Sequence, residues 1–358
     1  MQATEFTELV GVALPIIQAP MASVGTPELV AAVANAGGLG SLGCAMLSSD
    51  EVRVRLGAVR DLTAAPINAN FFANAQPQRD GARDEAARRL LAPYYEEFDL
   101  GPVPEPREIR VHFDEAMLET VLDLRPEVVS FHFGLPVPEM VRAIKDAGST
   151  ILSTATTVYE ARLLEDLGVD LIVAQGWEAG GHRGTFASPF EHAQIGTFAL
   201  VPQVVDAVSV PVIAAGGIAD GRGVAAALAL GASAVQIGTA FLRCPETAIP
   251  DAYRSALTQA NEERTQVTRA FTGRPARALR TRYVEELTAH NDELPEFPGM
   301  MAFHGPLRAS SNERGSPDFM PLWSGQAAAL GIDIPAGQLV GKLVTDFEAS
   351  VGDIGRSS

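Results

Sequence analysis

The feature that most constrains the fold is the regular alternation of short apolar runs with helical patterns along most of the chain. Such alternation is typical of a parallel sheet whose faces are covered by helices. The predicted strands are residues 15–20, 38–43, 66–72, 128–134, 150–155, 171–175, 211–217 and 234–240. Helices are predicted between them at residues 27–36, 138–147, 158–167, 200–208 and 223–230.

Eight successive strand–helix units predict an α/β fold of the (β/α)₈ type, a TIM barrel. The alternative is an open, doubly wound sheet. That fold seldom needs eight parallel strands, and it usually carries a GxGxxG loop after its first strand. No such loop follows residues 15–20. The barrel is therefore favoured.

Two stretches are longer than a barrel requires. Residues 1–72, 128–242 and 317–358 are assigned to the barrel, and residues 73–127 and 243–316 are insertions. Both insertions follow predicted strands and leave from the C-terminal rim. We therefore expect them to form a lid or a smaller second domain over the barrel mouth, although chain order does not show whether they pack together.

Composition excludes several classes of partner. The chain of 358 residues has a net charge of −17, which argues against nucleic acid or an anionic membrane surface. It contains no apolar run of about 18 residues and no signal-peptide pattern, so a cytoplasmic protein is expected. Cys44 and Cys244 are far apart and show no metal-ligand spacing, so neither a disulfide nor a metal site is expected. Composition does not choose between a monomer and a homodimer.

A glycine-rich stretch, QGWEAGGHRG at residues 175–184, begins with the last residue of the sixth predicted strand. It places His182 after Gly180 and Gly181 at the strand end where TIM barrels carry out their chemistry. Glycine lets backbone approach a ligand closely, and histidine can transfer protons near neutral pH. The alternative is a surface loop that needs glycines only for positive φ angles.

Other predicted strands also end in polar residues or glycine. Asn70 lies near the end of the third strand, and Gln236 lies within the eighth. The seventh strand ends in Gly216-Gly217, and the eighth contains Gly238-Thr239. Because barrels often bind a ligand phosphate through backbone N–H groups of the last two loops, these two pairs predict a phosphate site.

A phosphate site beside amide side chains suits flavin mononucleotide (FMN), whose ring carbonyls and nitrogens need amide donors and acceptors. Ala19, Pro20 and Met21 lie at the end of the first strand and offer backbone contacts and a flat apolar wall. The alternative ligand is a phosphosugar. Enzymes acting on phosphosugars usually need Lys, Asp or Glu at strand ends, and this chain has none at those positions.

These residues resemble the nitronate monooxygenases, also called 2-nitropropane dioxygenases, which are FMN-dependent TIM barrels. The resemblance extends over most of the chain. It is carried by QAPM, NANFF, SFHFG, the 175–184 stretch, AAGGI, QIGT and WSGQ, at residues 18–21, 68–72, 130–134, 175–184, 214–218, 236–239 and 323–326.

The resemblance implies oxidation of alkyl nitronates by O₂ to carbonyl compounds and nitrite, without reduced nicotinamide. It also implies that His182 lies near the flavin, where it acts as a base on a neutral nitroalkane or orients a nitronate. Together, the strand ends and the resemblance give these expected cofactor-binding residues: Ala19, Pro20, Met21, Asn70, Gln175, Gly180, Gly181, Gly216, Gly217, Gln236, Gly238 and Thr239.

The chain departs from the family pattern at Phe297-Pro298, where a Tyr-Pro pair is common, so one polar contact to substrate is expected to be missing. His304 is a candidate replacement, although a solvated loop histidine is the favoured interpretation. His132, on the fourth predicted strand, is either a second group near the flavin or an interior histidine with satisfied hydrogen bonds.

Two other functions stay open at this point. The first is an FMN barrel that takes hydride from NADH or NADPH and reduces a quinone or an enoyl thioester. Nicotinamide stacks on the flavin and needs no sequence fingerprint of its own. The second is an FMN-binding module without turnover, against which the presence of His182 argues.

Overall fold

The structure is a computed structural model that describes residues 1–75, 78–106, 109 and 111–356, the side chains of 354–356 excepted. Its strands are β1 (Ile16–Gln18), β2 (Gly40–Gly43), β3 (Ile67–Phe72), β4 (Val128–His132), β5 (Thr150–Ala155), β6 (Leu171–Gln175), β7 (Gly181–His182), β8 (Val212–Ala215), β9 (Ala234–Ile237), β10 (Thr265–Thr268) and β11 (Ala276–Leu279).

The helices are α1 (Glu5–Val10), α2 (Pro27–Asn35), α3 (Ser49–Leu62), α4 (Gly81–Glu97), α5 (Glu115–Leu124), α6 (Pro138–Asp146), α7 (Val158–Asp166), α8 (Thr197–Val205), α9 (Gly221–Ala229), α10 (Thr239–Leu242), α11 (Asp251–Thr258), α12 (Arg282–Leu287), α13 (Met300–Glu313) and α14 (Ala336–Arg356). Single 3₁₀ turns lie at Phe190–His192, Thr288–His290 and Ala328–Leu330. None of these described helices has the length and apolar character needed to cross a bilayer.

Eight parallel strands form the main sheet in the order β1-β9-β8-β6-β5-β4-β3-β2. A parallel bridge between Ile17 and Leu39 brings the two end strands together, so the barrel is nearly closed. The prediction of a TIM barrel is confirmed. Because all eight strands are parallel, their C-terminal ends lie on one rim of the barrel.

The predicted strand and helix bounds differ from the structure in places with clear local causes. The fourth strand ends at His132, because Phe133 has a φ of 71° and leaves the extended conformation. The eighth predicted strand, β9 in the structure, ends at Ile237, because Thr239 begins α10. Helix α8 begins at Thr197, earlier than predicted. The Glu178 carboxylate accepts the Thr197 N–H at 2.8 Å, a contact from outside the helix.

The barrel interior is closed at the N-terminal ends of its strands. Phe6 and Val10 of α1 are buried in one apolar cluster with interior residues such as Leu39, Val128 and Leu171, which lie at or next to strand beginnings. Helix α1 therefore covers this end of the barrel. The opposite rim is where loops and insertions converge.

A second apolar core lies above the barrel and joins the two inserted segments. Leu91 and Tyr95 of α4 are buried in the same cluster as Phe303 and Leu307 of α13. The Tyr95 hydroxyl also donates a hydrogen bond to the Phe303 carbonyl at 2.6 Å. Segments that are far apart in the chain thus share one hydrophobic interior.

Three short strands form a separate antiparallel sheet in the order β10-β11-β7. In it His182 is paired with Ala276, so His182 lies on a short strand rather than on the glycine-rich loop expected from the sequence. The cause is long-range pairing, which neighbouring residues do not reveal. This sheet fixes the histidine backbone against the second insertion.

Candidate active site

A cavity of about 480 Å³ opens at the C-terminal rim, between the barrel strands and the second layer. Every residue predicted for cofactor binding lines it, together with His132, His182 and His304. Further lining residues that strand-end reasoning did not identify are Phe72, Tyr253, Phe271, Thr272, Met301, Arg308, Trp323 and Gly325.

One side of the cavity is formed by backbone that follows β8 and β9. The N–H groups of Gly217, Gly238 and Thr239 have no hydrogen-bond partner in the described part of the chain. Gly216 and Gly217 have φ angles of 108° and 74°, a region that side chains with a Cβ rarely adopt. Unpaired N–H groups at a cavity wall suit an anionic ligand.

The segment 323–326 closes the cavity beside this backbone. A Cβ on Gly180 would lie 2.5 Å from the Gly325 nitrogen, so only glycine permits this approach. Gly325 N–H donates to the Thr239 hydroxyl at 2.9 Å, and Gln326 N–H donates to the Glu178 carbonyl at 3.0 Å. Gly180 thus has a packing role that its position in the sequence did not reveal.

The predicted amides occupy different environments. The Gln175 amide donates to the His182 carbonyl at 3.0 Å and accepts from Gly184 N–H at 2.8 Å, so it braces the histidine segment. The Asn70 amide donates to the Ser130 hydroxyl at 2.9 Å. Gln236 lines the cavity and makes no hydrogen bond through its side chain within the residues described.

His182 lies in an aromatic surrounding. Its Nε2 is 2.9 Å from the Thr272 hydroxyl oxygen. Its ring centroid is 5.3 Å from that of Trp323 and 5.5 Å from that of Phe297. The residue at the expected Tyr-Pro position is therefore part of an apolar wall beside the imidazole.

This environment determines the charge of the imidazole. Burial lowers the pKa of His182 to about 3, and the nearby His132 and Arg274 act in the same direction. Burial likewise lowers the pKa of His132 to about 4. Both rings are therefore neutral near pH 7, each with one ring nitrogen that carries a lone pair.

The two other candidate histidines are hydrogen-bonded to backbone. His132 Nε2 lies 3.1 Å from the His182 carbonyl oxygen, so His132 lines the cavity and is also an interior histidine with a partner. His304 is not a solvated loop residue as expected. It is buried on α13, with Nε2 2.8 Å from the Phe319 carbonyl oxygen, because the second core covers it.

A buried carboxylate outside the cavity fixes the segment that follows His182. Glu160 Oε1 accepts the N–H groups of Phe186, Ala187 and Ser188 at 2.7, 3.0 and 3.1 Å. Three donors from consecutive residues hold this turn firmly. No local sequence pattern indicates this contact, because Glu160 belongs to α7, far from residues 186–188 in the chain.

The family model for nitronate monooxygenase matches residues 3–346. The chain belongs to the nitronate monooxygenase family. A nitronate monooxygenase from Pseudomonas aeruginosa is 45% identical over 345 residues, covering 96% of this chain and 98% of the relative. The protein is therefore an oxidoreductase of this family.

Solved structures agree with this assignment. The crystal structure of nitroalkane oxidase from Streptomyces ansochromogenes has a TM-score of 0.91 and 39% identity, covering 98% of this chain and 99% of that one. FabK from Thermotoga maritima has a TM-score of 0.79 and 29% identity, covering both chains completely. The barrel is thus shared beyond the nitronate monooxygenases.

Proposed function

We propose that this enzyme uses FMN to oxidise alkyl nitronates with O₂ to carbonyl compounds and nitrite. The observation that carries the proposal is that one cavity is lined both by backbone N–H groups without a partner in the described residues and by a neutral, half-buried imidazole. The names of the relatives support the same reaction class.

The described residues fit FMN. The free N–H groups of Gly217, Gly238 and Thr239 would hold the phosphate, since its oxygens would accept hydrogen bonds that these donors do not make within the described residues. Asn70 and Gln236 would bind the polar edge of the ring system. The segment Ala19, Pro20 and Met21 would form an apolar wall, and Gln175, Gly180, Gly181 and Gly216 would complete the site. When bound, FMN supplies the group that accepts electrons from the substrate.

His182 would act on neutral nitroalkanes as the base that takes the α-proton. The imidazole accepts the proton while negative charge moves onto the nitro oxygens of the substrate. Phe72, Phe297 and Trp323 surround the ring and would keep water from it. With a preformed nitronate no proton is removed, and His182 would only orient the substrate.

The two insertions, residues 73–127 and 243–316, would form the substrate-side domain over the FMN barrel. Thr272, Met301 and His304 of the second insertion line the cavity, and α4 of the first packs against α13. The substrate would therefore lie between the barrel rim and this layer.

A second candidate function is an FMN-dependent reductase that takes hydride from NADH or NADPH. The observation in its favour is the aromatic wall of the cavity, because a nicotinamide ring needs mainly a flat apolar surface beside the flavin.

The proposal is tested by aerobic incubation of the purified protein with propyl-2-nitronate. The expected result is O₂ uptake with formation of nitrite and acetone, from a yellow protein that releases FMN when denatured. A colourless protein that cannot be reconstituted with FMN would refute the cofactor assignment. A yellow protein that forms no nitrite would refute the reaction.

A further inference from the structure

We propose that Arg308 is a specificity-determining residue, whose free guanidinium at the mouth of the cavity attracts a negatively charged substrate and so favours a nitronate over a neutral nitroalkane. The place of the cation follows from the contacts of this chain, whereas the identity of the anion rests on the proposed function.

Helix α13 directs Arg308 towards the cavity. Met301, His304, Gly305 and Arg308 all line it. The last three follow Met301 by three, four and seven residues, a spacing that places all four on one face of a helix. The direction of Arg308 is therefore set by the helix as a whole and not by one side-chain rotamer.

Arg308 lies where the cavity opens to solvent. His304, one turn earlier on the same face, is only 4% exposed, whereas Arg308 is an exposed residue. A side chain that lines a cavity and is also exposed lies at its mouth. A Cβ added to Gly305 would meet nothing within 4 Å, so there is open space beside Arg308.

The guanidinium of Arg308 is free. It makes no hydrogen bond or ion pair within the part of the chain that the structure describes. Arg243, by comparison, forms an ion pair with Asp333 at 2.6 Å. An arginine carries five N–H donors and stays protonated, so an unpaired one beside open space can act on an anion that enters.

The charge of the rest of the molecule makes this cation matter. The net charge of the chain is −17, which opposes the approach of an anion. Glu178 and Arg308 are the charged side chains of the described cavity lining. The Glu178 carboxylate accepts the N–H and the hydroxyl of Thr197, both at 2.8 Å. Arg308 is thus the one cation among the described lining residues.

The field of Arg308 reaches into the cavity. Burial lowers the pKa of His304 to about 3, and the charge of Arg308 acts in the same direction. A nitronate is an anion, whereas the nitroalkane with the same carbon skeleton is neutral. Attraction at the mouth therefore acts on the nitronate alone, and salt weakens it because the group is exposed.

The first test compares Arg308→Gln with Arg162→Gln. Arg162 on α7 is also exposed and has no partner among the described residues, but it does not line the cavity, so the control changes net charge equally. At low ionic strength, Arg308→Gln should lower kcat/KM for propyl-2-nitronate by about 3- to 5-fold, and by less than about 1.5-fold in 0.5 M salt. Arg162→Gln and Arg308→Lys should stay near the wild type, as should all variants with 2-nitropropane.

Three results would overturn the proposal. One is an equal loss on the nitronate and the neutral nitroalkane, and another is a loss that does not depend on salt. The third is a weaker affinity for FMN in Arg308→Gln, by about 10-fold or more, because the guanidinium would then serve the cofactor phosphate. Dialysis followed by titration of the protein with FMN measures that affinity.

A second test does not depend on turnover. Iodide and acrylamide are an anionic and a neutral quencher of tryptophan fluorescence, and Trp323 lines the cavity whereas Trp177 does not. At low ionic strength, Arg308→Gln should reduce quenching by iodide by about 1.5- to 2-fold and leave quenching by acrylamide unchanged. Arg162→Gln should change neither. Equal iodide quenching in wild type and Arg308→Gln would contradict attraction of anions at the mouth.

Failure of the proposed function has a different appearance. If the wild-type protein oxidises neither substrate, the reaction assignment falls, and the quenching comparison still decides whether Arg308 attracts anions. If the protein oxidises the nitronate with the same salt dependence in wild type and Arg308→Gln, the reaction stands and the role of Arg308 falls.

Discussion

The two sides of the cavity are built by different means. The side that contains Gly217, Gly238 and Thr239 is formed by backbone directly after barrel strands β8 and β9. The side that contains His182 depends on pairing between β7 and β11, on Thr272, and on the segment around Trp323. The first side needs only the barrel, whereas the second needs residues from distant parts of the chain.

The proposed roles divide in the same way, with cofactor binding on the barrel side and proton transfer on the imidazole side. Backbone N–H groups are present whatever the side chain, so the proposed phosphate site on the barrel side depends on main-chain conformation and not on particular side-chain donors. The imidazole side depends on side chains held in one orientation by several long-range contacts. We therefore expect substitutions on the imidazole side to change catalysis. Substitutions where the two sides meet, at the contact between Gly180 and the segment 323–326, should change stability.

The largest effect is expected from His182→Asn. Loss of the base should lower kcat/KM for a neutral nitroalkane by about 100-fold or more, since general base catalysis contributes on that scale. The preformed nitronate should lose about 10-fold or less. Steady-state assays with both substrates make the comparison, and His290→Asn is the matched control because His290 contacts Glu293 outside the cavity. Equal losses on both substrates would make His182 an orienting group.

The close contact between Gly180 and the segment 323–326 is tested by Gly180→Ala. The new Cβ would lie 2.5 Å from the Gly325 nitrogen, so the segment 323–326 must move. Overpacking of this kind costs about 1–3 kcal/mol, which should lower Tm by several degrees. Gly57→Ala in α3 is the control, since nothing lies near its added Cβ and the helix should gain slightly. An unchanged Tm in Gly180→Ala would show that the segment 323–326 can move away from residue 180 at little cost in stability.

Stability should also depend on pH through buried His304. Its pKa is lowered to about 3 by burial, against about 6.5 in an unfolded chain. Between these values the unfolded state binds more protons, so the free energy of unfolding falls as pH falls, by at most about 1.4 kcal/mol per pH unit for this group. Denaturant titrations of wild type and His304→Gln from pH 7 to about pH 4.5 measure the slope. The variant should show the shallower decline, and identical slopes would contradict this burial effect.

The smallest expected effect concerns the pH dependence of kcat/KM, which should be nearly flat. With the His182 pKa lowered to about 3, the imidazole stays neutral across the usual assay range. For a neutral nitroalkane, kcat/KM should therefore vary little between about pH 5 and 8. A break near pH 6.5, as for an exposed histidine, would show that the ring is not buried during turnover.

Local sequence was sufficient for the barrel and for the positions of most candidate residues. Strands β5 and β6 coincide with their predicted ranges, and Gly216-Gly217 after β8 and Gly238-Thr239 after β9 line the cavity as expected. These features depend on periodicity and on chain order, which a sequence displays directly.

The remaining features depend on contacts between distant residues. The strand character of His182 comes from Ala276, and the burial of His304 comes from a core shared with the first insertion. Thr272 lies in no strand-end pattern, and Glu160 acts on a turn more than twenty residues away. No local pattern encodes such contacts, although WSGQ at 323–326 pointed to one of them through the family resemblance.

The most direct test of the proposed function is to mix the FMN-loaded protein without oxygen, in one experiment with propyl-2-nitronate and in another with NADH. We expect rapid loss of the oxidised flavin absorbance with the nitronate and slow or no loss with NADH. Rapid loss with NADH and no response to the nitronate would contradict it and assign the cavity to a reductase.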